Sequence, residues 1–312
     1  MINIGPMVYH ARLHSYPGSV QIRTATPVRP LMFGIDVPLS DDVALVHIDT
    51  TKPSIARCYD AALGGKENYE VDREFIRRLA QVAPEIGRFT WDNRNFLVRV
   101  TRFLAGKVGI TQFLDCGSGL PTAENTHQVA QRIQPEARVV YVDNDPVVLA
   151  HGRALLQEND RTRFSAADIF KPRQVINDTM VRRHLNFSEP IALFQLGTLH
   201  HYDGEPSPQS IMAEYIEALP SGSYVAISHF CDPQTTSELS ELARKMEQAF
   251  MQSPLGSNGV FRTRAAIEGM FSGLDLVEPG LIRCADWWPD GPQTTPLDPV
   301  QDCIVGAVGR KP

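Results

Sequence analysis

Up to about residue 48, apolar residues follow no sustained period, and Pro6, Pro17, Pro27, Pro30 and Pro38 punctuate the chain. The pattern reads as a loose or disordered leader, residues 1–48. Helical spacing then takes over. Pro53 suits a first helical turn, Thr50 or Thr51 a cap, and Gly64-Gly65 a left-handed stop, which predicts a helix over 53–63. Further helices are expected at 70–82 and 91–106, where Phe96, Val100 and Phe103-Leu104 share a face. These make an N-terminal helical cap over 49–109.

From Thr111 onward, short apolar runs alternate with amphipathic stretches, as in a parallel sheet built from βαβ units. Strands are expected at 111–115, 138–142, 162–166, 190–196 and 222–229, and helices at 121–133, 146–157, 173–185, 208–219 and 234–251. A short helix at 263–271 should precede a sixth strand, Leu274 to Arg283. The last strand, 302–310, follows a connection holding Pro289, Pro292, Pro296 and Pro299. That leaves little room for a crossover helix, so it is expected to run antiparallel. The prediction is an α/β domain over 110–312 with a seven-stranded, mostly parallel sheet.

Composition narrows the setting. With 312 residues, 43% hydrophobic and 21% charged, the chain can bury a sizeable core. A net charge of −6 argues against a sequence-independent grip on nucleic-acid phosphate. Cys58, Cys116, Cys231, Cys284 and Cys303 are scattered singly, which fits reduced thiols in a cytoplasm. No apolar stretch approaches the roughly 18–20 residues of a membrane span, so no membrane partner is expected.

The first strand runs into Asp115-Cys116-Gly117-Ser118-Gly119, and glycines there let the backbone turn sharply beside a ligand at the strand's carboxyl end. Alone this loop is a weak signal. A dinucleotide site would have a small residue where Thr122 stands, and Pro121 withdraws an amide from any pyrophosphate, so a nicotinamide-dependent oxidoreductase is a weaker alternative. Asp115 suits a ligand carrying ammonium or sulfonium charge, or else braces the loop. At the second strand end, Asp143-Asn144-Asp145-Pro146 places Asp143 to accept two ribose hydroxyls, with Asp145 capping the next helix. At the third, Asp168 is either an adenine contact or a cap, and Ile169 would pack on the ring.

Three acidic strand ends in this order look like the class I methyltransferase fold, which is Rossmann-like. The segments Ile55 to Asp60, Leu63-Gly64-Gly65-Lys66-Glu67-Asn68-Tyr69, Asp72-Arg73, Phe113 to Asn125, Val139 to Ala150 and Leu199-His200-His201 sharpen the likeness. They resemble an actinobacterial family of S-adenosyl methyltransferases long catalogued as a domain of unknown function, over roughly 48–312. The resemblance implies bound S-adenosylmethionine, a reversed last strand, and Gly117, Gly119, Asp143 and Asp168 as cofactor contacts. Ser118 and Asn144 join them as neighbours in the same loops. A protein that binds this cofactor or its demethylated product without catalysis is the other alternative.

Methyl transfer from a sulfonium needs mainly alignment and exclusion of water, with a base only when the acceptor carries a proton. The fourth strand end, Leu199-His200-His201-Tyr202-Asp203, offers His201 and then His200 as that base, each equally readable as a structural hydrogen-bonding group. A metal at His200, His201 and Asp203 has no further ligand spacing behind it. In the cap, Arg57 is a candidate partner for the methionine carboxylate and Tyr59 a second contact, with Lys66 and Asn68 beside a double glycine that could hinge. Arg57, Asp60 and Asp72-Arg73 read equally well as a surface ion-pair network. Trp91, Trp287 and Trp288 are pocket or packing residues, and His127 is expected to be structural. The run that holds an exocyclic base amine is missing after the fourth strand, so a small-molecule oxygen or nitrogen acceptor is expected.

Overall fold

The computed structural model describes residues 19–20, 48–121, 124–156, 160–256 and 258–312. It divides into two units, Met1–Thr51 and Lys52–Pro312. In the first, strand β1 (Ser19–Val20) pairs antiparallel with β2 (Ile48–Asp49). The rest of the expected leader, and Thr122, lie outside the described residues.

The second unit opens with helices α1 (Ile55–Ala62), α2 (Glu70–Val82) and α3 (Ile86–Arg102). Helix α1 starts later than its threonines suggested, because Ser54 is the cap and its Oγ accepts the Arg57 amide. Pro53 therefore precedes the helix. Helix α3 begins five residues before the expected 91 and runs into a wider turn over Phe103–Val108, which Gly109 stops at φ +85°.

Next come β3 (Gln112–Cys116), α4 (Thr126–Ile133), β4 (Arg138–Val142), α5 (Pro146–Leu156), β5 (Thr162–Ser165), α6 (Pro172–Ile176), α7 (Thr179–His184) and β6 (Ala192–Leu196). Helix α8 (Pro208–Ala218), β7 (Tyr224–Asp232), α9 (Ser237–Met251), β8 (Arg262–Thr263), α10 (Arg264–Glu268), β9 (Asp275–Leu276), β10 (Ile282–Arg283) and β11 (Ile304–Arg310) complete the unit. The helix expected over 173–185 is broken in two, since Asp178 leaves the helix to accept the amides of Met180 and Val181. The helix expected from 121 starts at Thr126, behind a reciprocal cap between Asn125 and Gln128.

The sheet order is β10-β11-β7-β6-β3-β4-β5, with β3 to β7 parallel and β11 antiparallel to β7. This is the α/β, mostly parallel sheet with a reversed last strand that the pattern predicts. The sixth strand differs from expectation. Instead of one run over 274–283, β9 and β10 pair with successive stretches of β11, and a turn through Pro279 and Gly280 (φ +81°) separates them.

Alternate side chains of the central strands feed two cores, because strand residues point to opposite faces in turn. Phe113, Val139 and Phe194 pack with α3, α4 and α9 on one face; Leu114, Val140 and Leu193 pack with α6, α7 and α8 on the other. The stretch from Cys284 to Cys303 clasps the outer side of α3. Arg99 donates to the carbonyls of Trp287 (2.7 Å) and Cys284 (2.6 Å), Arg88 pairs with Asp298 and Arg102 with Asp290, and Gln301 donates to Asp92.

Candidate active site

A cavity of about 630 Å³ lies between the cap helices and the carboxyl ends of β3, β4, β5 and β6. Open α/β sheets bind ligands at that end because loops diverge there. Asp115, Gly117, Ser118, Gly119, Asp143, Asn144, Asp168, Ile169, Tyr59, His200 and His201 all line it. Arg57 does not.

The loop after β3 turns through Gly117 at φ +74° and Gly119 at φ +64°, a backbone region that suits glycine. A Cβ on Gly117 would fall inside the contact distance of Thr198 Cγ2 and 3.0 Å from Ile169 Cδ1, while one on Gly119 would meet nothing within 4 Å. Gly117 thus lets three loops close on one another, and Gly119 leaves the cavity open. The Gly119 amide donates to Asp143 Oδ2 at 2.9 Å, and the Asp145 amide to Asp143 Oδ1 at 2.9 Å. The Asn144 amide contributes as well, and the carboxylate, which offers about four lone-pair positions, still borders the cavity. Asp145 Oδ1 accepts the Val147 amide at 2.7 Å, the helix cap expected of it.

Asp115 is buried and accepts from Thr126 Oγ1 at 2.6 Å. Burial pushes the carboxyls of Asp115 and Asp143 up to about 6, with a smaller rise at Asp115 from Asp143 and at Asp143 from Asp145. A cation between them would oppose that rise. Asp168 does not cap α6, whose N-cap is Lys171; its Oδ1 accepts the Phe170 amide at 3.0 Å in a local turn, Oδ2 pairs with Lys171 at 3.1 Å, and the side chain borders the cavity. Ser118 Oγ is buried with no hydrogen-bond partner among the described residues, a donor held in reserve at the loop's centre.

The cap contributes differently from expectation. Arg57 is buried and pairs with Asp72 at 2.8 Å, and Asp72 also accepts the amides of Ser54 and Tyr69. The ion-pair reading of Arg57 is therefore the one seen, but in the interior and not on the surface. Gly65 packs closely on the Asp60 carboxylate, where a Cβ would not fit, and that carboxylate holds the Glu67 amide and Asn68 Nδ2 at 2.8 Å each. Lys66 is exposed, away from the cavity wall. Arg94 and Asn93, which no motif in the sequence singles out, form with Thr90 and Leu97 the cavity-facing stripe of α3. The available signal was polar residues repeating three and four apart on an otherwise apolar helix face. Arg94 donates to Asn125 and offsets part of the rise at Asp115. Asn93 donates to Tyr59 Oη at 2.9 Å and accepts from Ser228 at 2.5 Å.

At the fourth strand end, His200 lies flat on Phe230, ring centroids 3.4 Å apart, and its Nδ1 has no partner among the described residues. His201 is half-buried beside it. Burial pushes His200 well down and His201 to about 4, so both rings are neutral at pH 7. Asp203 is exposed, and no group of three or more ligating side chains among the described residues is arranged to hold a metal. None of the tryptophans lines the cavity: Trp287 is fully buried, while Trp91 and Trp288 are exposed. His127 bonds Tyr141 Oη at 2.8 Å, a structural contact. Burial drives the Cys231 thiol up to about 12, which keeps it protonated and a poor nucleophile at neutral pH.

The carboxylates of Asp115, Asp143, Asp145 and Asp168 against the single guanidinium of Arg94 make the strand-end wall acidic. A pyrophosphate would be repelled, and the Gly119 amide it needs is already given to Asp143. A cationic nucleoside is favoured. The S-adenosyl methyltransferase family model matches residues 42–312, and the chain belongs to that family. It is similar to a methyltransferase structure from Thermobifida fusca, at 42% identity over 83% of this chain and 95% of that one, with a TM-score of 0.78. A domain-of-unknown-function family protein from Streptomyces avermitilis shares 34% identity over 84% of this chain and 99% of its own, also with a TM-score of 0.78. No protein among curated sequences matches. The chain is thus an S-adenosylmethionine-dependent methyltransferase of the class I fold, which sets the dinucleotide alternative aside. Among the described residues no helix is long and apolar enough to cross a membrane.

Proposed function

We propose that this methyltransferase acts on an oxygen or nitrogen of a small-molecule acceptor held between the cap and the sheet. The acidic strand-end wall supports the cofactor half of the reading. There Asp143 takes the ribose hydroxyls, Asp168 and Ile169 the adenine, and Gly117, Ser118, Gly119 and Asn144 shape the loops around them. The cofactor, when bound, supplies a methyl group on a sulfonium, which Asp115 favours electrostatically. Arg94 replaces Arg57 as the partner of the methionine carboxylate, and Tyr59, fixed by Asn93, borders the same end.

His201 and His200 are uncharged acceptors facing the space left for the second substrate. His201 accepts a hydrogen bond from the acceptor's O–H or N–H and orients its lone pair. Because burial disfavours the imidazolium, the proton passes on to water and is not stored. The cavity's volume of about 630 Å³ favours a small molecule, and the buried free thiols favour a reducing, cytoplasmic setting. Titration calorimetry with S-adenosylhomocysteine tests the reading: wild type should bind and Asp143→Ala should bind at least about tenfold more weakly. Absence of binding at millimolar ligand would overturn it. Mass-spectrometric detection of methylated product then separates catalysis from mere sequestration of the cofactor.

A further inference from the structure

The part of the cavity remote from the carboxylates has its own chemistry. Its wall is built of phenylalanine rings from separate elements: Phe75 from α2, Phe89 from α3, Phe230 from β7 and Phe250 from α9. They touch in sequence, with centroids 5.2 Å apart for Phe75 and Phe250, 5.6 Å for Phe250 and Phe230, and 5.1 Å for Phe230 and Phe89. His200 extends this surface by stacking on Phe230 at 11°. The charged lining residues Arg94, Asp115, Asp143, Asp145 and Asp168 all belong to the cofactor side, where Arg94 meets Asn125 and opposes Asp115.

Among the described residues, then, the remote wall offers no countercharge. An ion placed there would lose its hydration without recompense. Flat rings would gain area burial and edge or offset contacts with the phenylalanines. We infer that the methyl acceptor is an uncharged aromatic molecule whose hydroxyl or amine points to the histidines while its ring lies against Phe75, Phe89, Phe230 and Phe250. The inference rests on the proposed function, because it takes the acidic end as the cofactor's place.

The test is calorimetric titration of the full chain, with and without saturating S-adenosylhomocysteine, using 2-naphthol, 2-naphthoate, 2-naphthylmethylammonium and 1-decanol as probes. Wild type should bind 2-naphthol at least about tenfold more tightly than either charged probe or the alkanol. Phe250→Ala should weaken 2-naphthol about tenfold and leave S-adenosylhomocysteine unaffected. Ile76→Lys, at a half-buried lining position, covers the case in which Phe250→Ala fails to fold: it should shift preference toward 2-naphthoate. A charged probe or 1-decanol binding as tightly as 2-naphthol overturns the inference, and so does failure of every aromatic probe while S-adenosylhomocysteine binds. If 2-naphthol binds and S-adenosylhomocysteine does not, the aromatic subsite stands and the cofactor assignment falls.

Discussion

Replacing Gly117 by alanine should cost stability that a second substitution partly restores. At φ +74° an alanine is disfavoured by roughly 1–2 kcal/mol. Its Cβ would also press on Thr198 Cγ2 and lie 3.0 Å from Ile169 Cδ1, and overpacking of this kind costs about 1–3 kcal/mol. The expected loss is therefore roughly 2–5 kcal/mol. For a chain of 312 residues each kcal/mol lowers Tm by about 1.5–2 °C. Thr198→Ser removes Cγ2 but keeps the hydroxyl that donates to Gln195 Oε1 at 2.6 Å. The Gly117→Ala/Thr198→Ser protein should regain most of the overpacking cost and none of the backbone cost. Gly119→Ala is the control, since its Cβ meets nothing within 4 Å and only the backbone penalty at φ +64° applies. Thermal denaturation followed by circular dichroism across the set yields the coupling. Strictly additive losses, or Gly119→Ala destabilising as much as Gly117→Ala, would refute the packing argument.

Affinity for S-adenosylhomocysteine should fall as pH drops from 7 to 5, by up to about tenfold per pH unit for each carboxyl that must be ionised. The cause is the position of Asp115 and Asp143 at about 6, and a flat profile in calorimetry counts against it. Without ligand the sign reverses: these raised carboxyls contribute stability below the folded pKa that is lost as pH rises through about 6, so Asp143→Asn should compare best with wild type in alkaline melts. Arg57→Met leaves Asp72 buried without its partner and should cost about 3–5 kcal/mol in urea denaturation with cofactor affinity preserved. Arg94→Met should weaken cofactor binding instead; the opposite pattern would return Arg57 to the cofactor. With an acceptor in hand, His201→Ala should lower kcat by about 10²-fold or more at constant S-adenosylhomocysteine affinity, and equal loss of both would make the ring structural.

The parallel strands were legible because they are buried on both faces and read as unbroken apolar runs; β3 and β6 are buried throughout. Their ends were legible too, since Asp115, Asp143 and Asp168 interrupt those runs with charge. The sixth strand was not, because Pro279 and Gly280 turn the chain between two pieces whose apolar residues follow one pattern. Nor was the choice between Arg57 and Arg94. Each is an arginine on an amphipathic helix, and only the packing of α1 against α2 decides that Asp72 reaches the first. The phenylalanine wall was invisible for a related reason: every ring fits the ordinary core period of its own element, and their convergence is purely tertiary. The tryptophans, more conspicuous in sequence, stand elsewhere.

The clasp on α3 has a bearing on the cavity wall. The helix presents Thr90, Asn93 and Arg94 to the cavity, and along its outer side Arg88, Asp92, Arg99 and Arg102 are gripped by the stretch from Cys284 to Cys303. The middle of that stretch, 288–296, is exposed. It is a buttress: side chains on the outer side of α3 tie the helix that carries Thr90, Asn93 and Arg94 to a surface stretch on the far side from the cavity. A proteolytic nick in the exposed stretch is therefore expected to loosen that wall from outside, at a distance from every residue that lines the cavity.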